Sequence, residues 1–287
     1  MRHFYESDGA LLSFHDGGTG LPVVLLHPTP FQAEYWRPLT EELAGVRVIV
    51  PDLRGHGDSE LGVLPVGGFA SVPDAPVLTM AQYAADILAL LDRIELQTAV
   101  FAGCSIGGYI LLELWRQAPQ RMRGLAFVCS KAQPDTEVNL AKRAETIAQT
   151  RAGKCAELFD GMTQTLIGAT ARQSHPEIVA ELRSQMTVSA ETLVAIQAGL
   201  AARPDSVPTI ATIDVPILAI AGGEDPGITP EEMQVFQTAP GKCEFHLLSD
   251  AGHLAAYEQP QKVVSLMTEW LHQFQESTPD QAKNESQ

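Results

Sequence analysis

Three side chains spread along this sequence, Ser105, Asp225 and His253, have the types that together perform acyl transfer. A serine hydroxyl is a weak nucleophile until a neighbouring base takes its proton, and an imidazole does this well when a carboxylate holds it in one tautomer. Ser105 stands in Gly103-Cys104-Ser105-Ile106-Gly107, within AVFAGCSIGGYI (99–110). There an apolar run stops at Gly103, presents one hydroxyl, and resumes at helical spacing after Gly107 and Gly108. Gly-x-Ser-x-Gly between a strand and a helix is a nucleophile elbow. Its glycines remove side chains that would clash, and the helix start aims N–H groups and a positive dipole end at developing negative charge.

The acid and base follow later in the chain. ILAIAGGEDPGITP places Asp225 just beyond an apolar strand, and FHLLSDAGHLAAYEQP places His253 in a glycine-containing loop after the last strand. The order serine, aspartate, histidine is the one this motif carries. Glu224, Asp250 and Asp135 also lie beyond strand ends and compete for the acid's role; His27, His56 and His246 compete for the base's, although His246 sits inside a strand pattern. Oxyanion donors are expected from the Ile106 N–H and from the early loop LLHPTPF (25–31), where Pro28 and Pro30 have no N–H and Thr29 does. Cys104 adjoins the serine, but an elbow turns Ser105 outward and its neighbour inward.

The elements that position these residues alternate in type. A hairpin is predicted over 3–15 around Asp8-Gly9, then strands in 21–28, 46–53, 98–105, 124–130, 215–223 and 243–250. Helical spacing appears at about 31–43, at 79–94 behind Thr79 as N-cap, and at 106–117, 230–238 and 260–275. Strands alternating with helices predict an α/β fold, a mostly parallel sheet with helices on both faces. Residues 131–210 interrupt this rhythm with helical segments near 137–150, 153–166, 175–186 and 189–201. The expected organisation is a core of 1–130 and 211–275, a helical cap or lid of 131–210, and a polar disordered tail of 276–287. Phe159, Met162 and Met186 recur at helical spacing in the cap, as core or as pocket lining.

The chain has 287 residues, 45% hydrophobic and 19% charged, with a net charge of −16. Such a surface repels phosphate backbones and anionic membranes, so the expected partner is a small molecule; a homodimer stays open. The four cysteines have no metal-like or disulfide-like spacing, no cluster suggests a metal, and RGHGDS (54–59) lacks the features of a phosphate cradle. No cofactor is expected. The N-terminus lacks an apolar leader segment and no run of 18 apolar residues occurs, so a cytoplasmic location is expected.

Taken together, LLHPTPFQAEYW, VIVPDLRGHGDS, GCSIGGYI, GGEDP and DAGHLAAYEQP resemble the α/β-hydrolase superfamily over nearly the whole chain outside 131–210. Within it the chain looks most like the branch of small serine hydrolases that includes 3-oxoadipate enol-lactonases and related esterases. The resemblance implies cleavage of a carboxylic ester or lactone through an acyl-enzyme. Relatives that cleave a carbon–carbon bond in vinylogous diketones, and receptors that keep the fold without turnover, are the alternatives. His27-Pro28 departs from the His-Gly usual in the family, which implies a stiffer oxyanion loop.

Overall fold

The computed structural model describes residues 1–275. The tail predicted at 276–287 lies outside the described residues. Eight strands form one sheet: β1 (Arg2–Ser7), β2 (Ala10–Gly18), β3 (Leu21–Leu26), β4 (Val46–Pro51), β5 (Ala99–Cys104), β6 (Met122–Val128), β7 (Ile217–Gly222) and β8 (Cys243–Leu248). Their spatial order is β1-β2-β4-β3-β5-β6-β7-β8, antiparallel across β1/β2 and β2/β4 and parallel beyond. The β1–β2 hairpin turns on Asp8 (φ 41°) and Gly9 (φ 68°), two positive φ values that suit a tight two-residue turn.

Every residue of β5 and β7 is buried, which explains their unbroken apolar runs. On one face the helices Met80–Arg93 and Ile106–Gln117 bring Ile87, Leu90, Ile110 and Leu114 against Phe101 and Leu125. On the other, the helix Pro260–Gln275 and the turns at 33–40 bring Val263, Trp270, Trp36 and Leu39 against Val23 and Leu218. Thr79 caps its helix as expected, accepting a hydrogen bond from Gln82 N at 3.1 Å.

Three elements differ from the sequence reading; in the first, the helix expected at 230–238 is one α-turn, Pro230–Met233, followed by a 3₁₀ turn, Gln234–Thr238. The stretch 31–43 is not one helix but a 3₁₀ turn, Ala33–Trp36, followed by a single α-turn, Arg37–Thr40. Pro38 accounts for the break, because a residue without N–H starts a helical turn more readily than it continues one. β6 starts at Met122, two residues before the apolar run that marked it.

Between β6 and β7 lie the helices Glu137–Arg151, Cys155–Leu166, Ala169–Ser174, Glu177–Gln185 and Ala190–Ala201. They pack against both cores: Leu182 and Leu193, with Ile167 between two of the helices, join the core on one face of the sheet, and Ala195, Ile196 and Leu200 the core on the other. Among the described residues no helix is long and apolar enough to cross a membrane.

Candidate active site

Ser105 sits between β5 and the helix Ile106–Gln117 with φ 53° and ψ −116°, a conformation that L residues seldom adopt. Surrounding contacts over-determine it, as such backbone requires. Its N–H donates to Val128 O at 3.0 Å, and its carbonyl accepts from Gly108 N at 3.0 Å and Ser130 Oγ at 2.8 Å. The glycines answer to space. A Cβ on Gly103 would stand 2.4 Å from Gly107 C, one on Gly107 2.4 Å from Leu26 O, and one on Gly108 2.2 Å from Ser130 Oγ. Elbow backbone and neighbouring strand therefore touch directly.

Asp225 and His253 arrive from the ends of β7 and β8. Asp225 Oδ2 accepts a hydrogen bond from His253 Nδ1 at 2.7 Å, while Oδ1 accepts from the N–H groups of Gly227 (2.8 Å) and Ile228 (3.1 Å). Nδ1 must carry the proton in this pair, which leaves Nε2 as the free base of the neutral ring. Burial raises the Asp225 carboxyl, yet the charge and hydrogen bond of His253 and the two N–H donors outweigh it, and its pKa lies below the ordinary 3.8. Burial lowers His253, yet the Asp225 charge and hydrogen bond, with Glu258 behind them, outweigh it and raise it above the ordinary 6.5.

Glu258 was not found from the sequence. It is 6% exposed, and its carboxylate accepts from the N–H groups of Gly252 (2.8 Å), Leu254 (3.1 Å) and Gly168 (2.9 Å). Burial pushes its carboxyl above the ordinary range despite those three donors. It braces the His253 loop on both sides and ties it to the segment between β6 and β7. The one available signal was a carboxylate inside the apolar stretch GHLAAYE.

The rival residues are engaged elsewhere. Glu224 accepts from Thr170 N at 2.9 Å and from its hydroxyl, Asp250 pairs with Lys262 at 3.1 Å, and Asp135 pairs with Arg143 and Arg203. His246 lies in β8. His27 donates from Nδ1 to Pro28 O (2.9 Å) and accepts at Nε2 from Leu53 N (3.0 Å), so both its nitrogens are used. The Cys104 thiol is fully buried near the Tyr35 hydroxyl at 3.3 Å, and burial pushes its pKa up to about 12. A thiol held neutral in that way is not a nucleophile.

The early loop is held from behind. Burial, with His27 beside it, pushes His56 down to about 3, so the ring is neutral. His56 donates from Nδ1 to Arg54 O (3.1 Å), and Nε2 therefore accepts from the Thr29 hydroxyl (3.1 Å). Pro28 O accepts from Phe31 N at 3.1 Å across the cis Thr29–Pro30 bond, and Asp52 holds Ala33 N at 2.8 Å. The N–H groups of Thr29 and Ile106 take part in no hydrogen bond among the described residues.

Ser105, His253, Thr29 and Ile106 line one cleft of about 220 Å³. Its apolar wall includes Met162, Leu166, Leu193, Leu200 and Ile228. Of the three residues noted in 131–210, only Met162 reaches it; Phe159 and Met186 are core. A cleft of about 300 Å³ beside β2 and β4, lined by His15, Glu34 and Arg37 among others, contains none of Ser105, Asp225, His253, Thr29 and Ile106.

A fold of this topology, with a serine elbow after its fifth strand, sets clear expectations for kinship. The family model described as "Alpha/beta hydrolase family" matches residues 23–266. The chain belongs to that family. A thermophilic esterase from Thermogutta terrifontis, solved with malate bound, is 31% identical, with a TM-score of 0.85 and coverage of 95% of this chain and 98% of that one. The 3-oxoadipate enol-lactonase 1 of Acinetobacter baylyi is 26% identical over 250 residues, 84% of each chain. The enol-lactonase from Burkholderia xenovorans shares the fold at 23% identity and a TM-score of 0.82, covering 94% of this chain and all of its own. This hydrolase therefore has esterases and lactonases among its relatives.

Proposed function

We propose that the protein cleaves a carboxylic ester or lactone through an acyl-enzyme formed on Ser105. The observation that carries this reading is the 2.7 Å hydrogen bond from His253 Nδ1 to buried Asp225, with His253 and Ser105 lining the same cleft. His253 Nε2 takes the Ser105 proton as Oγ attacks the carbonyl carbon, and Asp225 stabilises the imidazolium that results. The carbonyl oxygen gains negative charge and is met by the unspent N–H groups of Ile106 and Thr29, with the start of the helix Ile106–Gln117 behind the first. His253 then gives its proton to the departing alkoxide. Water, deprotonated by the same nitrogen, releases the acid and restores Ser105. The esterase and lactonase relatives favour an oxygen leaving group.

Replacing Ser105 with Ala is expected to lower kcat on a short-chain p-nitrophenyl ester roughly 10⁴- to 10⁶-fold, the scale seen when a triad loses its nucleophile. A fluorophosphonate probe should label the wild-type chain on the peptide holding Ser105 and leave the variant unlabelled. Retained turnover in Ser105→Ala would overturn the assignment.

A further inference from the structure

Arg143, on the helix Glu137–Arg151, is the one cationic side chain among the lining residues of the Ser105 cleft, His253 apart. A guanidinium has five N–H donors. Its Nε and Nη2 are directed to Asp135, the latter at 3.2 Å, and Nη1 donates to Gln197 Oε1 at 3.0 Å. One N–H on each of Nη1 and Nη2 remains, the number that a carboxylate accepts in a two-pronged contact.

The charges here do not balance. Asp135 is shared with Arg203, whose Nη2 lies 3.2 Å away, so one carboxylate faces two guanidinium groups and the cluster keeps one positive charge. Arg203 is buried, its Nη2 also donates to Gln133 O at 2.8 Å, its Nε and Nη1 have no hydrogen-bond partner among the described residues, and its guanidinium lies 4.1 Å from the centre of the Tyr109 ring, itself part of the cleft wall. The surplus charge, on buried Arg203 and on Arg143 whose side chain is 17% exposed, favours an anion that reaches the unused Arg143 donors. A second cleft, of about 330 Å³, shares Arg143 and Tyr109 with the first and adds Lys131 and Lys142. Lys131 is paired with Glu232 at 2.6 Å, and Lys142 has no ion-pair partner among the described residues. On a chain of net charge −16 this basic approach selects the sign of what arrives.

We infer that the substrate carries a carboxylate away from its scissile ester or lactone bond, and that Arg143 holds this carboxylate while Ser105 attacks. A single surplus charge matches a monoanionic carboxylate better than a dianion. The inference rests on the reading of the cleft as that of a serine hydrolase and specifies its substrate class.

The test compares p-nitrophenyl monoglutarate with p-nitrophenyl pentanoate, which have acyl chains of equal length with and without the terminal charge. Wild type should prefer the glutarate ester at least about tenfold in kcat/KM. In Arg143→Gln that preference should shrink about 10- to 100-fold, mainly through KM, as the loss of charge-assisted hydrogen bonds implies. Arg143→Lys should recover part of it. No preference in wild type, or equal losses on both esters in Arg143→Gln, would overturn the inference and leave Arg143 a structural brace. Should neither ester be turned over, calorimetric titration of each into Ser105→Ala decides: tighter binding of the anionic ester supports the subsite, and equal binding overturns it. If Ser105→Ala still hydrolyses its ester, the functional reading fails instead, so the two failures are distinguishable.

Discussion

In the elbow, position is set by backbone against backbone: Gly107 lies on Leu26 and Gly103 on Gly107, and no side chain but glycine's fits either place. Across the cleft, the helices between β6 and β7 contribute through side chains. Met162, Leu166, Leu193, Gln197 and Arg143 come from three different helices or their ends. A backbone joint has one solution, whereas a wall of side chains has many that fill the same volume. On the proposed function, the reaction is thus fixed on the sheet side and its range of substrates on the helical side.

The largest effect that would sharpen this contrast is expected at Asp225, which in the proposed reaction orients the base and does not itself line the cleft. Asp225→Asn should lower kcat by about 10⁴, as loss of the acid does in other triads, whatever the acyl group. The pH profile carries a second signature. In the proposed reaction the neutral form of His253 acts as base, and its pKa is raised, so wild-type kcat/KM should fall on the acid side with a midpoint above 6.5. Without the Asp225 charge, burial is opposed chiefly by the weaker pull of Glu258 and lowers the imidazole pKa, so the midpoint should move to lower pH while the plateau drops. An acid limb unmoved by the substitution would exclude His253 as the group titrating.

Next comes the elbow itself. Gly107→Ala would push a methyl group to 2.4 Å from Leu26 O, and rigid backbone must shift to accept it. A loss of about 1–3 kcal/mol in unfolding free energy is expected, read as a lower urea midpoint at unchanged slope. Turnover should fall for every substrate alike. Selective loss on one acyl chain would break the division between the two sides of the cleft. The smallest effect belongs to the helical wall. Met162→Ala, at a partly buried position, should alter preference among acyl-chain lengths by roughly tenfold or less, with Ser105 labelling at the wild-type rate.

The same division decided what could be read from the sequence. Strands buried on both faces wrote themselves as apolar runs, and the elbow as three glycines around a serine, because both demands are local. Asp225 and His253 were legible because strand ends bring loops to one edge of a parallel sheet. What escaped depends on how distant pieces meet. Glu258 reads as any acidic residue until Gly168, 90 positions earlier, is seen donating to it. Arg143 and Gln197, on separate helices, face one cleft only through the packing of those helices, which no periodicity specifies. The break at Pro38 was visible as a residue type, but not its consequence for 31–43.

The seam between the His253 loop and the helical segment has a consequence for engineering. Leu166 O accepts from His253 N at 2.8 Å, and Gly168 N donates to Glu258 at 2.9 Å, so the base is stitched to the very segment that shapes the pocket. A Cβ on Gly252 would lie 2.4 Å from Gly168 N, which leaves the seam no slack. A chimera that exchanges the helices of a relative for these cannot treat them as an interchangeable module. The joint at 166–168 must be retained with the loop it supports, and the interchangeable part begins only on the side of Arg143 and Leu193.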